Sequence, residues 1–216
     1  IRWVVALHGA SVVPVELYGI HAGSETAGHR VLGSQSITVS GFVDYLAKLN
    51  ENGVLVSQGT RKTKVTTELA TAAKQLNGRI IADEKLLQEV VYINEYPTVI
   101  AGEFEARFLA LPREILITVM REHQKYFALE NAEGVLLPNF LAVINTRGDE
   151  TGMIRKGHER VLRARLSDAL FFWEVDGKQT LEDRVESLNA IVFHKALGTY
   201  KAKVDRMVSL AASVNQ

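Results

Sequence analysis

Residues 121–144 read REHQKYFALENAEGVLLPNFLAVI, and their reading decides the fold. Lys125–Leu129 is a short apolar and aromatic run, Asn131–Gly134 is a turn sequence, and Val135–Ile144 is a second apolar run. Two such runs around a Gly-bearing turn predict a long β-hairpin. Upstream, Leu111-Pro112-Arg113-Glu114 puts a proline in a first helical turn, where its missing N–H costs nothing. Leu116, Val119, Met120, His123 and Phe127 then fall on one face. Downstream, Thr146–Gly152 is a polar loop, and His158–Trp173 predicts a helix with Leu162, Leu166, Ala169, Leu170 and Trp173 as its apolar stripe.

The first hundred residues mix both periods. Trp3–Leu7, Val12–Tyr18, Ser36–Val39, Gly53–Gly59 and Arg79–Ala82 read as strands. Residues 41–50 and Thr60–Asn77 read as helices, the second with Gly78 as its stop, and Asp83 caps a helix over Glu84–Val91. Residues 21–34 form a loop with glycines at 23, 28 and 33. Glu182 to Gln216 is mostly helical, broken near Gly198. The fold class expected is therefore α+β, a mixed or antiparallel sheet with packed helices over 1–175, followed by a helical segment over 176–216.

Composition removes several functions. The 216 residues hold no cysteine, which excludes disulfides, Cys-ligated metals and thiol nucleophiles and suits a reducing compartment. No run of about 20 apolar residues exists to span a membrane. The six histidines fall in no metal-ligand spacing, so no metal site is expected. Neither Gly28–Gly33 nor Gly148–Gly152 is followed by Lys-Ser/Thr, and no Gly-x-Ser-x-Gly is present, so neither a phosphate loop nor a serine-hydrolase elbow is found. Lys+Arg and Asp+Glu both number 25, which speaks against a chain that coats nucleic acid through its overall charge.

Charge is nevertheless uneven. Arg155–Arg165, RKGHERVLRAR, carries Arg155, Lys156, Arg160, Arg163 and Arg165 against the single acid Glu159. On a helix, Lys156, Arg160 and Arg163 share one side, and guanidinium groups match phosphate oxygens in pairs. The same spacing fits a solvated helix face with a Glu159–Arg163 ion pair. His29, between Gly28 and Arg30, could face an anionic ligand or bond its own backbone. His123, with Gln124 and Tyr126, could bind a polar ligand or simply pack.

Several blocks carry a resemblance. REHQKYFAL (121–129), LPNFLAVINT (137–146), GHERVLRARLSDALFFWEVD (157–176) and FHKALGTYKAKVDRM (193–207) resemble the β-subunit family of bacterial tetrameric glycyl-tRNA synthetases. TAGHR (26–30) and LLQEVVYINEYPTVIAGEFEARFLALP (86–112) fit the same pattern. His158 stands where that pattern has Asn, and His194 where Gln is commoner.

The resemblance implies an internal fragment of a cytoplasmic ligase that joins glycine to its tRNA. ATP with magnesium would be used through the α subunit, and the partners would be glycine tRNA, the α subunit and further β copies in a heterotetramer. Residues 1–175 would be similar to the editing-type domain of phenylalanyl-tRNA synthetase β subunits, and 176–216 would begin a helical, HD-like region. The fragment would then position tRNA through Arg30, Arg155, Lys156, Arg160, Arg163 and Arg165, without an aminoacylation centre. Two alternatives stay open. One is an editing hydrolase using His29 or His123, with Gly-loop N–H groups holding the oxyanion. The other is a structural spacer.

Overall fold

The computed structural model describes residues 1–214. By internal contacts the chain divides into two units, Ile1–Ser167 and Asp168–Gln216.

The first unit opens with three short antiparallel pairs: β1 (Leu7–His8) with β2 (Ser11–Val12), β3 (Glu16–Leu17) with β4 (Ile20–His21), and β5 (Glu25–Thr26) with β6 (Ile37–Thr38). Tyr18 and Gly19 both have positive φ, the backbone of a two-residue hairpin turn, and they break the expected strand Val12–Tyr18. Helix α1 (Phe42–Glu51) packs Leu49 against Ile37 and Val39. Gly53–Gly59, expected as a strand, forms none, and its last two residues open a helix. The Arg61 guanidinium takes the carbonyls of Leu55 and Val56, and Leu55 N–H goes to Glu95 O, so too few backbone groups remain for a ladder.

Helix α2 (Gln58–Gln75) starts at Ser57, whose hydroxyl accepts from Thr60 N–H. It ends where Asn77 turns left-handed at φ 52, with Gly78 N–H bonded to Ala73 O. Gly78 itself is needed for room, because a Cβ there would lie 2.7 Å from Leu137 Cδ1. Then come β7 (Arg79–Ile80), α3 (Glu84–Ile93) capped by Asp83, β8 (Pro97–Glu103), a 3-10 turn over Ala106–Ala110 and α4 (Arg113–Thr118). A π-helical turn, Val119–His123, leads into β9 (Tyr126–Glu130) and β10 (Leu136–Asn145).

The hairpin β9–β10 is the middle of a four-stranded antiparallel sheet ordered β7-β9-β10-β8. Because side chains alternate along a strand, each face has its own core. On one face Phe127, Leu129 and Leu141 meet Val65, Leu69 and Ala73 of α2 and Leu86, Val90 and Val91 of α3. On the other face Tyr126 and Phe140 stack at 4.4 Å between ring centroids. Phe140 can lie there only because residue 102 is glycine: a Cβ on Gly102 would come within 2.3 Å of the ring.

Strand β8, absent from the expected elements, is an edge strand, and its outward N–H groups find acids. Val99 N–H donates to Glu68 of α2 at 2.8 Å. Glu103 N–H donates to Glu159 at 3.2 Å, from the opposite face. Glu159 belongs to α5 (Met153–Asp176), which starts five residues before the expected His158. Asp149 sets that start by accepting the N–H groups of Ile154 and Arg155.

Helix α5 meets the sheet through a polar bond as well as through buried Leu162 and Leu166. The Tyr126 hydroxyl and His158 Nδ1 share a hydrogen bond of 2.6 Å. Burial pushes the Tyr126 hydroxyl up to about 12, so it stays protonated. Burial, opposed by the Asp149 charge, also holds His158 below its ordinary value, which favours the neutral ring.

The second unit begins within α5 and continues through α6 (Leu181–Val185), a 3-10 turn (Glu186–Ala190), the hairpin β11 (Val192–His194) and β12 (Gly198–Thr199), and α7 (Tyr200–Val214). Thr180 and Asp183 cap α6 reciprocally. Gly198, at φ 83, opens β12 where the helical reading broke. Lys203 lies 4.1 Å over the Phe193 ring. None of the described residues from 168 onward is fully buried.

Two expectations follow for the first unit. Gly102→Ala forces the Phe140 ring off its stack and costs roughly 1–3 kcal/mol, read as a lower midpoint in urea unfolding. An unchanged midpoint contradicts this packing. The second concerns pH. His158 is depressed in the folded chain, so the unfolded chain takes up its proton first as pH falls. The stability it contributes is whole above about pH 6.5 and is lost as pH drops from there through the folded-state value. His158→Asn, which cannot titrate, flattens that part of the stability–pH curve. Equal slopes for the two proteins contradict the role of the Tyr126–His158 bond.

Candidate nucleic-acid interface

The glycine loop is shaped by the protein's own backbone. A Cβ on Gly28 would lie 2.6 Å from Asn52 Cβ, and one on Gly33 would lie 2.2 Å from Asn52 O. Both glycines are there so that the loop can close on Asn52. Its donors are used internally: Gly28 N–H to Ser34 O, His29 N–H to Asn52 O, and Gly33 N–H to His29 O. Asn52 Oδ1 accepts from Ser34 N–H as well.

His29 is buried in this loop. Its Nδ1 accepts from Val31 N–H at 3.1 Å and Leu32 N–H at 3.2 Å, which leaves the ring proton on Nε2. Nε2 is buried without a partner among the described residues. The ring's one lone pair is therefore occupied by backbone, the local alternative of the two left open by the sequence. Arg30 next to it is exposed.

His123 is exposed at the end of the π-helical turn, just before Lys125, whose φ is 59. That turn is tied to α3 and its cap by two ion pairs, Arg121 with Asp83 and Lys125 with Glu89. No hydrogen bond among the described residues joins His123 to His29.

The basic segment lies along the N-terminal half of α5. The helix's own first turn is satisfied by Asp149, whose carboxyl sits below the usual range chiefly because Arg155 N–H donates to it. An anion approaching this helix would thus be met by side chains rather than by bare N–H groups. At about 100° per residue, Lys156, Arg160 and Arg163 share one edge, and Arg165 falls on the other flank of the Leu162–Leu166 stripe. Arg155 is in line with that stripe, 3.9 Å from Glu159.

The expected Glu159–Arg163 pair is not formed. Glu159 is turned toward the sheet edge, and Arg163 Nε instead meets Glu105 Oε1 at 2.9 Å. The other oxygen of Glu105 holds Arg107 Nε at 2.8 Å. Lys156, Arg160 and Arg165 are exposed, with no carboxylate within 4 Å among the described residues. The structure thus brings Lys156, Arg160 and Arg163 together and adds Arg107 beside Arg163. Among the described residues, Arg30 and His123 form no hydrogen bond or ion pair with that edge. Arg107 escaped the sequence reading because it stands alone in an apolar stretch, on a 3-10 turn without helical periodicity. Its spacing from Glu105 is the only local hint.

Comparison with known proteins places this chain in a family. The family model described as "Glycyl-tRNA synthetase beta subunit" matches residues 1–216. The chain is 43% identical over 211 residues to the glycine–tRNA ligase beta subunit of Syntrophus aciditrophicus, covering 98% of this chain and 31% of that protein. It is 43% identical over 214 residues to the protein of the same description from Geotalea uraniireducens, covering 99% and 31%. For the one from Moorella thermoacetica the identity is 44% over 214 residues, covering 99% and 31%. The chain therefore spans about a third of the length of these relatives. It belongs to the glycyl-tRNA synthetase beta subunit family.

Proposed function

We propose that this chain is a non-catalytic, tRNA-positioning part of a glycine–tRNA ligase, and that the α5 edge of Lys156, Arg160 and Arg163 contacts the RNA backbone. The observation that carries it is the exposure of Lys156 and Arg160 side by side on one helix edge without an acid to neutralise them. The sheet holds that edge outward through Tyr126–His158 and Glu103–Glu159. Contacts of this kind set register on a nucleic acid without reading its sequence. Arg155 and Arg165 flank the edge and add to the local field, and Arg30 supplies a charge at the loop tip.

In this reading glycine activation, with ATP and magnesium, takes place in the α subunit. The ligase is a cytoplasmic heterotetramer of α and β copies, and this chain supports glycylation by binding. Residues 1–175 are a non-hydrolytic relative of the editing-type domain of phenylalanyl-tRNA synthetase β subunits, and residues 176–216 open an HD-like helical region. An absence of hydrolytic chemistry accords with the occupied lone pair of His29 and the spent N–H groups of its loop.

The test uses the holoenzyme carrying Lys156→Ala and Arg160→Ala together. Affinity for glycine tRNA falls roughly tenfold at low salt, and the slope of log K against log salt shrinks by roughly 1.5–2, as expected for two lost phosphate contacts. The KM for tRNA rises while glycine-dependent ATP–pyrophosphate exchange is unchanged. Wild-type affinity and slope with impaired subunit assembly would instead make the chain a structural spacer.

A further inference from the structure

The structure assigns a phosphodiester-binding fork to Arg107 and Arg163, held ready by Glu105. The inference rests on the reading that the α5 edge meets RNA, and it names the groups that would grip one phosphate.

The geometry has three parts. Glu105 uses one oxygen for each arginine, and both ion pairs are made through Nε, at 2.8 and 2.9 Å. These ion pairs leave the terminal Nη groups of both arginines without another carboxylate within 4 Å among the described residues. Arg107 is fixed a second time, with its guanidinium carbon 4.7 Å over the Phe108 ring centroid. Phe108 is fully buried, so the platform under Arg107 is rigid.

Both arginine side chains remain about 60% exposed, so the fork faces solvent rather than the core. Arg163 continues the Lys156–Arg160 edge of α5, while Arg107 comes from the turn after β8. Two arginines from separate elements, aligned by one carboxylate, lose less side-chain freedom on meeting a planar or tetrahedral oxyanion than two free ones would. Net charge also matters. With Glu105 between them, the pair offers a single positive charge, enough for one phosphodiester.

This makes a signed claim about an acid. If the arginines acted only through their field, removing Glu105 would tighten RNA binding. If Glu105 positions them, removing it weakens binding.

The experiment measures affinity of the holoenzyme for glycine tRNA, and its salt slope, in Glu105→Ala, Arg107→Ala and Arg107→Lys. The fork requires about three- to tenfold weaker binding in all three, with the slope smaller by roughly one in Arg107→Ala. Arg107→Lys keeps the charge and loses the fork, so its loss separates positioning from charge. Binding that is unchanged or tighter in Glu105→Ala overturns the fork. So does unchanged tRNA affinity with lost assembly onto the α subunit, which would make this a protein contact. Lys156→Ala and Arg160→Ala in the same assay keep the two questions apart: their loss of affinity leaves the α5 edge standing even where the fork fails.

Discussion

The first unit is organised by the Phe140 ring lying flat between Gly102 and Tyr126. That contact has no tolerance, since even one methyl group at residue 102 would sit 2.3 Å from the ring. It sets the spacing of β8, β9 and β10 on one face, and it places the Tyr126 hydroxyl within hydrogen-bond reach of His158 of α5. Helix α5 is then held at that point by a hydrogen bond, at Glu159 by the edge of β8, and along Leu162 and Leu166 by burial. With one side of the helix so committed, the turn between Lys156 and Arg163 leaves no choice but solvent for the basic edge.

The acids of the first unit explain how a chain with equal numbers of acidic and basic residues can still present a basic surface. Many are already engaged with the protein's own groups. Glu68 and Glu159 take the free N–H groups of the edge strand. Asp149 and Asp83 take helix N-termini. Glu130 is held between Arg79 and Arg113, which keep its carboxyl below the usual carboxylate range. Carboxylates spent on backbone leave Lys156 and Arg160 without partners. Net charge is blind to this, because it counts groups without asking what each one touches.

How much of this was legible in the sequence depended on the range of the interaction. The β9–β10 hairpin and helices α2, α3 and α5 were legible, because their periodicity and caps are local. Strand β8 was not: Pro97 and Gly102 are poor strand residues, and the glycine is needed only by a ring 38 positions away. Residues 54–57 looked like a strand by composition, and only the side chain of Arg61 makes them a loop. The basic segment was legible as a cluster, but its pairing was not. The i,i+4 rule offered Glu159 to Arg163, whereas the sheet edge takes Glu159 and an acid from another element takes Arg163. For the same reason the sequence left two roles open for His29 in its glycine loop, because the loop closes on Asn52, which is distant in the chain.

The central claim is that the α5 edge, tied down by the sheet on its other side, is where this chain meets RNA. Lysine footprinting of the holoenzyme tests it most directly, by labelling with an amine-reactive reagent with and without glycine tRNA. The account requires that tRNA protect Lys156 at low salt, that high salt abolish the protection, and that Lys85 on α3, across the sheet, be labelled equally throughout. Equal labelling of Lys156 with and without bound tRNA would contradict it.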